Sequence, residues 1–225
     1  MKIRLVALTL VFLVPYSGFA QGPKKSIYAG GMGGVATLSG DGGSNITPSS
    51  VATSLFDPDN GGAAEIFAGV HLFEYASFQM DYVYNRNQAV VVATSAGPNS
   101  TSFFRQPESI TQNAFLANVL IYFRRRNSRI RPYVAEGGGA VLLHSRLSSG
   151  AIVAGNPALP PATSDHASIA VRTSVGLDLR LRGPWYFRYS FGETLTRNML
   201  GDQVAPPQHR IPKNFQSLFG VYFRF

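Results

Sequence analysis

Residues 167–181 read ASIAVRTSVGLDLRL and alternate between two kinds of side chain. From Ile169 to Leu181 the odd positions carry aliphatic residues and one threonine. The even positions carry small or polar residues together with Arg172, Asp178 and Arg180. Because successive side chains of a β-strand point to opposite faces, this period of two predicts a strand with one apolar face and one charged face.

The same alternation recurs along the rest of the chain. In residues 185–192 (WYFRYSFG) and 215–225 (FQSLFGVYFRF), aromatic or aliphatic residues occupy most odd positions, and the even positions are more mixed. No stretch after residue 25 shows sustained helical periodicity, so the fold class is all-β. We predict eight strands, at residues 26–38, 63–73, 78–94, 112–124, 131–147, 167–181, 185–197 and 214–225.

The connections between these strands alternate in length. Those at 39–62, 95–111, 148–166 and 198–213 are long, and those at 74–77, 125–130 and 182–184 are short. Long loops at one end and tight turns at the other are typical of an antiparallel up-and-down transmembrane β-barrel with an even number of strands. A soluble sandwich with Greek-key crossings has no reason to keep this rhythm. We therefore predict an eight-stranded transmembrane barrel.

The N-terminus predicts export. Lys2 and Arg4 precede an apolar run from Leu5 to Pro15, and the small residues Gly18 and Ala20 follow it. This order is typical of a secretory signal peptide, and the run is shorter than the roughly 20 residues that a transmembrane helix needs. We expect residues 1–20 to be cleaved and residues 21–225 to form the barrel.

Composition narrows the classes of function. The chain has 23 Gly, 16 Phe and 10 Tyr but only 14% charged residues and no cysteine. Disulfides and thiolate metal sites are therefore excluded, and we expect neither a metal nor a cofactor. The net charge is +8, but the basic residues are spread along the chain instead of forming one block, so nucleic acid is not an expected partner.

The alternation also predicts which charged side chains point into the barrel. An eight-stranded barrel has room inside for side chains and little else, so charges there must pair. We expect Asp81, Glu136 and Asp178 to pair with Arg124, Arg180, Arg188 and Arg224. This network would close the barrel, and the alternative is a narrow polar pathway for small solutes. The full inward set is Glu65, His71, Asp81, Arg124, Glu136, Arg172, Asp178, Arg180, Arg188 and Arg224.

Aromatic residues are expected in two belts at the membrane interfaces. One belt flanks the short turns and the other lies toward the long connections. The first comprises Phe78, Phe123, Tyr133, Trp185 and Phe225, and the second Tyr84, Phe115, Phe191 and Phe215.

We predict no catalytic residue. Nucleophilic catalysis would need a serine or another activating group beside a histidine. His144 and Ser145 are adjacent and so point to opposite faces of a strand, and His71 points inward without an obvious serine partner. His166 and His209 lie in predicted loops.

Three segments resemble a known family, the OmpA-like small outer-membrane β-barrel domains. They are residues 78–84 (FQMDYVY), 131–139 (RPYVAEGGG) and 220–225 (GVYFRF), and the likeness extends over residues 26–225. The resemblance implies an outer-membrane location, contact with membrane lipids and lipopolysaccharide, and a monomer. It also implies that Tyr222, Phe223 and Phe225 form a C-terminal signal for the barrel-assembly machinery.

The expected function is therefore that of a non-enzymatic barrel that contributes to outer-membrane structure. Two alternatives remain at this stage. One is a narrow porin-like channel for small solutes, and the other is surface adhesion through the four long connections.

Overall fold

The structure is a computed structural model that describes residues 26–98, 100–196, 206 and 213–225. The predicted signal peptide, residues 1–20, lies outside the described residues. Within the described part of the chain, no helix is long and apolar enough to cross a membrane. The strands are β1 (Ser26–Leu38), β2 (Asp41–Thr47), β3 (Ser50–Pro58), β4 (Gly61–His71), β5 (Ala76–Gly97), β6 (Ser100–Tyr122), β7 (Ile130–Leu147), β8 (Ile152–Ala154), β9 (Thr163–Arg180), β10 (Trp185–Thr196) and β11 (Lys213–Arg224).

Eight of these strands close into a ring. Its order is β1–β4–β5–β6–β7–β9–β10–β11, and β11 pairs with β1 to complete the circle. Every pairing in the ring is antiparallel. The predicted eight-stranded antiparallel barrel is confirmed. Residues 72–75, 123–129 and 181–184 connect strands at one end, which we call the short-turn mouth.

The other end continues into a sheet that projects beyond the ring. β5 and β6 stay paired up to Gly97 and Ser100, β3 pairs with β5, β2 pairs with β3, and β8 pairs with β6. The prediction of a loop at 95–111 is therefore wrong. Turn-favouring residues around Pro98 mark only the tip of a hairpin, because the alternation that places Val91 and Phe104 on the buried face continues through this region.

Large aromatic side chains fill the lumen toward the short-turn mouth. Tyr28, Phe67, Tyr186 and Tyr222 form one buried cluster together with smaller apolar residues. Glycine creates part of the space, because a Cβ atom at Gly69 would overlap the ring of Tyr28. A Cβ atom at Gly176 would overlap the ring of Tyr133 in the same way.

The outer face of the ring is apolar. Ile66, Ile169 and Phe219 are 63%, 81% and 59% exposed, as expected for side chains that face lipid. Most of the predicted belt residues are also exposed, but Tyr133 is not. It points into the lumen at 3% exposure, so its assignment to the belt is wrong. The exposed belt residues are Phe78, Phe123, Trp185 and Phe225 near the short turns and Tyr84, Phe115 and Phe191 toward the projecting sheet, where Phe215 is half-buried.

Candidate functional site

An ion pair between Arg188 and Asp178 lies at the centre of the buried polar network. The residues face each other on the paired strands β10 and β9, and both are fully buried. Nε of Arg188 donates to Oδ1 of Asp178 at 2.6 Å, and Nη2 donates to Oδ2 at 2.9 Å. The planar guanidinium thus binds both carboxylate oxygens, which is the strongest geometry for such a pair.

Two tyrosines complete the shell around the Asp178 carboxylate. The hydroxyl groups of Tyr122 and Tyr222 donate to Oδ2 at 3.2 Å and 2.9 Å. With the two bonds from Arg188, Asp178 therefore accepts four hydrogen bonds from the described residues. A buried carboxylate needs such a shell because its charge has lost the solvation that water would supply.

A second charged cluster contains two carboxylates and one guanidinium. Nη2 of Arg172 lies 2.8 Å from Oε2 of Glu65, and Nη1 lies 3.7 Å from Oδ2 of Asp81. Asp81 also accepts hydrogen bonds from Gln79, at 2.6 Å, and from Asn118. All five side chains are buried.

Several of these contacts cross the whole lumen. β10 and β5 are diametrically opposite in the ring, and Nη1 of Arg188 donates to Oε1 of Gln79 at 2.7 Å. β9 and β4 are also opposite, and they carry the Arg172–Glu65 pair. A third bridge joins β11 to β6, where Nδ2 of Asn214 donates to Oε1 of Gln112 at 2.7 Å. Side chains therefore connect opposite walls at three places.

Two of the residues predicted to line the lumen lie elsewhere. Glu136 is exposed on the outer face of β7, because Arg131, Tyr133 and Ala135 are the residues of this strand that point inward. The prediction therefore placed the wrong face of β7 inward. Arg124 is exposed in the turn that follows Tyr122, because β6 ends two residues earlier than predicted. Neither side chain joins the network.

Two other predicted residues lie at the short-turn mouth. Arg180 is the last residue of β9 and is half-buried. Arg224 is the last residue of β11 and is also half-buried, with its Cζ atom 5.1 Å from the centre of the Tyr186 ring. The predicted inward residues that the structure places in the lumen are Glu65, His71, Asp81, Arg172, Asp178 and Arg188.

Sequence reasoning missed the uncharged members of the network and one arginine. Gln79 shares a face with Asp81, and Tyr122 shares a face with Asn118, so extending the same alternation to neutral polar residues finds them. Arg131 was missed because the wrong face of β7 was predicted to point inward. It is fully buried, and its Cζ atom lies 3.7 Å from the centre of the Tyr122 ring.

The described histidines each have a hydroxyl or carboxylate neighbour. His71 does have a serine partner, contrary to prediction, since its Nδ1 atom lies 2.5 Å from Oγ of Ser77. Nδ1 of His144 lies 2.5 Å from Oδ1 of Asp165, and Nε2 of His166 lies 2.7 Å from Oγ of Ser164. His209 lies outside the described residues.

One further pair lies nearer the projecting sheet. Ser145 donates a hydrogen bond to the buried Glu108, so its side chain faces away from that of His144. Across residues 26–98, 100–196 and 213–225, no group of three or more His, Asp or Glu side chains is placed to hold a metal ion.

Solved structures share this architecture. Neisserial surface protein A aligns with a TM-score of 0.53 and 13% sequence identity, covering 90% of this chain and 100% of its own. The outer membrane protein OprG from Pseudomonas aeruginosa aligns with a TM-score of 0.51 and 13% identity, covering 91% and 97%. No family model matches the sequence, and a search of curated proteins finds no match. The chain thus has the fold of the small outer-membrane β-barrels.

Proposed function

We propose that the chain is an integral outer-membrane barrel with a closed lumen, and that it serves the envelope as a structural component without catalysis. The apolar outer face would contact membrane lipids and, in the outer leaflet, lipopolysaccharide. We propose further that it acts as a monomer. During biogenesis, Tyr222, Phe223 and Phe225 would form the segment read by the barrel-assembly machinery.

The cross-lumen contacts carry this proposal. A channel needs a continuous wet path in which solutes bind weakly enough to leave. The Arg188–Gln79, Arg172–Glu65 and Asn214–Gln112 contacts each reach from one wall to the opposite wall, which supports a closed lumen. The side chain of Tyr28 occupies more of the lumen beside these contacts. Its hydroxyl group also donates to Oε1 of Gln79 at 3.0 Å.

Planar bilayer recordings test the closed lumen. The folded wild-type protein should give no stepwise current at any voltage. The combined variant Gln79→Ala/Glu65→Ala/Arg172→Ala/Gln112→Ala breaks all three bridges and should give at least brief openings. The matched control is Glu193→Ala/Lys213→Ala, which removes a half-exposed ion pair of 3.2 Å and should stay silent. Steady steps from the wild-type protein would favour the porin-like alternative.

A second candidate function is contact with a partner at the cell surface. The projecting sheet favours it, because this sheet has a hydrophobic cluster of its own that includes Phe56, Val91 and Phe104. It also exposes apolar side chains such as Ile46 and Ile152, which are 73% and 57% exposed. A rigid sheet can present such a surface better than a disordered loop can.

Replacing residues 90–107 with a two-residue Asn-Gly turn tests this candidate. Ala89 and Glu108 are paired, so a tight turn can join them without disturbing the ring below. The variant should keep the gel-mobility shift between unheated and boiled samples that reports a folded barrel. If it also adheres to cells as well as the wild-type protein does, surface contact through the β5–β6 hairpin is excluded.

A further inference from the structure

Arg131, near the short-turn mouth, has no carboxylate of its own to neutralise it in the part of the chain that the structure describes. Arg131 is fully buried, and none of its three guanidinium nitrogens has a hydrogen-bond partner among the described residues. The guanidinium of Arg131 lies over the face of the Tyr122 ring. An aromatic face stabilises a cation less than a carboxylate does. A buried guanidinium without an anion is costly, because the charge has lost the solvation that water would supply.

The carboxylate nearest to Arg131 along the sheet is already fully used. Arg131 on β7 is directly opposite Asp178 on β9. However, both oxygens of Asp178 are bound by Arg188, and one of them also accepts from Tyr122 and Tyr222. Asp178 therefore cannot neutralise a second arginine.

Other donors at this mouth also lack an acceptor. Nη1 of Arg224, the hydroxyl group of Tyr186 and Nε2 of His71 are buried without a hydrogen-bond partner in the described part of the chain. When Ser77 donates to Nδ1 of His71, Nε2 carries the proton and is a donor too. The unsatisfied groups named here are all able to donate.

Ring contacts connect these donors into one cluster of packed side chains. The ring centre of His71 lies 5.9 Å from that of Tyr122 and 4.8 Å from that of Tyr28. The ring centres of Tyr28 and Tyr222 are 5.4 Å apart. Tyr222 stacks on Tyr186 at 4.9 Å. Arg131 covers the Tyr122 ring at one end of this series, and Arg224 covers the Tyr186 ring at the other end, at the half-exposed entrance.

The turn between β6 and β7 adds further positive charge. Burial lowers the pKa of Arg126, Glu74 raises it, and the charges of Arg131 and Arg224 lower it again. Arg126 is therefore close enough to Arg131 and to Arg224 to be repelled by both, and Glu74 is the acidic group that opposes this repulsion.

We propose that the short-turn mouth binds an oxyanion of the phosphate class, held between the guanidinium groups of Arg131 and Arg224. Tyr186 and His71 supply further donors. Several donors that approach from different strands suit a tetrahedral anion with several acceptor oxygens better than a planar carboxylate. The phosphate group can belong to free inorganic phosphate or to the headgroup of a lipid at the entrance.

Urea unfolding of the folded protein in a non-ionic detergent tests the site. The single tryptophan, Trp185, is next to Tyr186 and provides the fluorescence signal. One arm titrates inorganic phosphate, and the other titrates short-chain phosphatidylglycerol. Each is compared with sodium chloride at equal ionic strength. We expect a saturable rise in the urea midpoint in at least one arm, because a ligand that binds only the folded state stabilises it. The arm that responds identifies the source of the phosphate.

Arg131→Met should abolish this response. Without phosphate it should be at least as stable as the wild type, since it removes an unpaired buried charge. Arg224→Met lies at the entrance and should weaken binding on the order of tenfold. Arg105→Met removes an exposed arginine of β6 and should respond like the wild type. The proposal fails if chloride gives the same rise, if neither arm responds, or if Arg131→Met responds as fully as the wild type.

Discussion

Individual charged residues inside this barrel differ in how they are neutralised. Asp178 and Arg188 satisfy each other through two hydrogen bonds, whereas Arg172 serves both Glu65 and Asp81. Removing one member of a buried pair leaves the other charged, desolvated and alone. The cost of such a change is therefore larger than the net contribution of the pair.

Replacing Arg188 with methionine should lower the free energy of unfolding by about 3–5 kcal/mol. Asp178 would keep only its two tyrosine hydroxyls. Urea unfolding followed by Trp185 fluorescence measures the loss, with Arg105→Met as the exposed control. Adding Asp178→Asn should recover part of it. A loss below about 1 kcal/mol would mean that water reaches Asp178.

Glu136 and Glu65 should respond oppositely to replacement by leucine. Glu136 faces outward between the paired residues Val119 and Thr173, where lipid is expected, so Glu136→Leu should stabilise the barrel by about 1–2 kcal/mol. Glu65→Leu should destabilise it by about 3 kcal/mol, because Arg172 keeps only the longer contact to Asp81. The free energies of unfolding of the two variants, measured in lipid vesicles, test this difference. Destabilisation by Glu136→Leu would indicate a partner for this carboxylate within the membrane.

At the level of the strands, sequence alternation predicted most faces but not all. In β9 and β10 the two faces differ clearly in polarity, so the sequence shows which face points inward. In β7, Gly137, Gly138 and Gly139 remove three side chains from the pattern, and the remaining residues do not fix which face is inside. For β5 and β6, prolines obscured the point where the ring ends and the projecting sheet begins.

Glycine at an inward position should matter where a ring occupies the space that a side chain would need. Gly176→Ala would drive a methyl group into the ring of Tyr133 and should cost about 1–3 kcal/mol. Gly62→Ala is the matched control, since nothing lies within 4 Å of its Cβ position. Unfolding free energies of the two variants in the same detergent test the difference. Equal values would show that Tyr133 can move aside.

For the molecule as a whole, the rhythm of long and short connections was enough to predict the ring and its strand count. The contacts across the lumen could not be predicted in the same way. Alternation says which side chains point inward, but the stagger between strands decides which of them meet. Arg172 was expected to point inward without an assigned partner, and only the register places it opposite Glu65.

The bridges across the lumen also bear on how the chain folds. Arg188 and Gln79 are 109 residues apart in sequence, and Asn214 and Gln112 are 102 apart. Such non-local contacts cannot form in a partly assembled sheet, because the two walls face each other only after β1 and β11 meet. We therefore expect these polar groups to be buried last, together with closure. An open sheet would hold its arginines and carboxylates in water, where they favour the unclosed state until the final strand pairs.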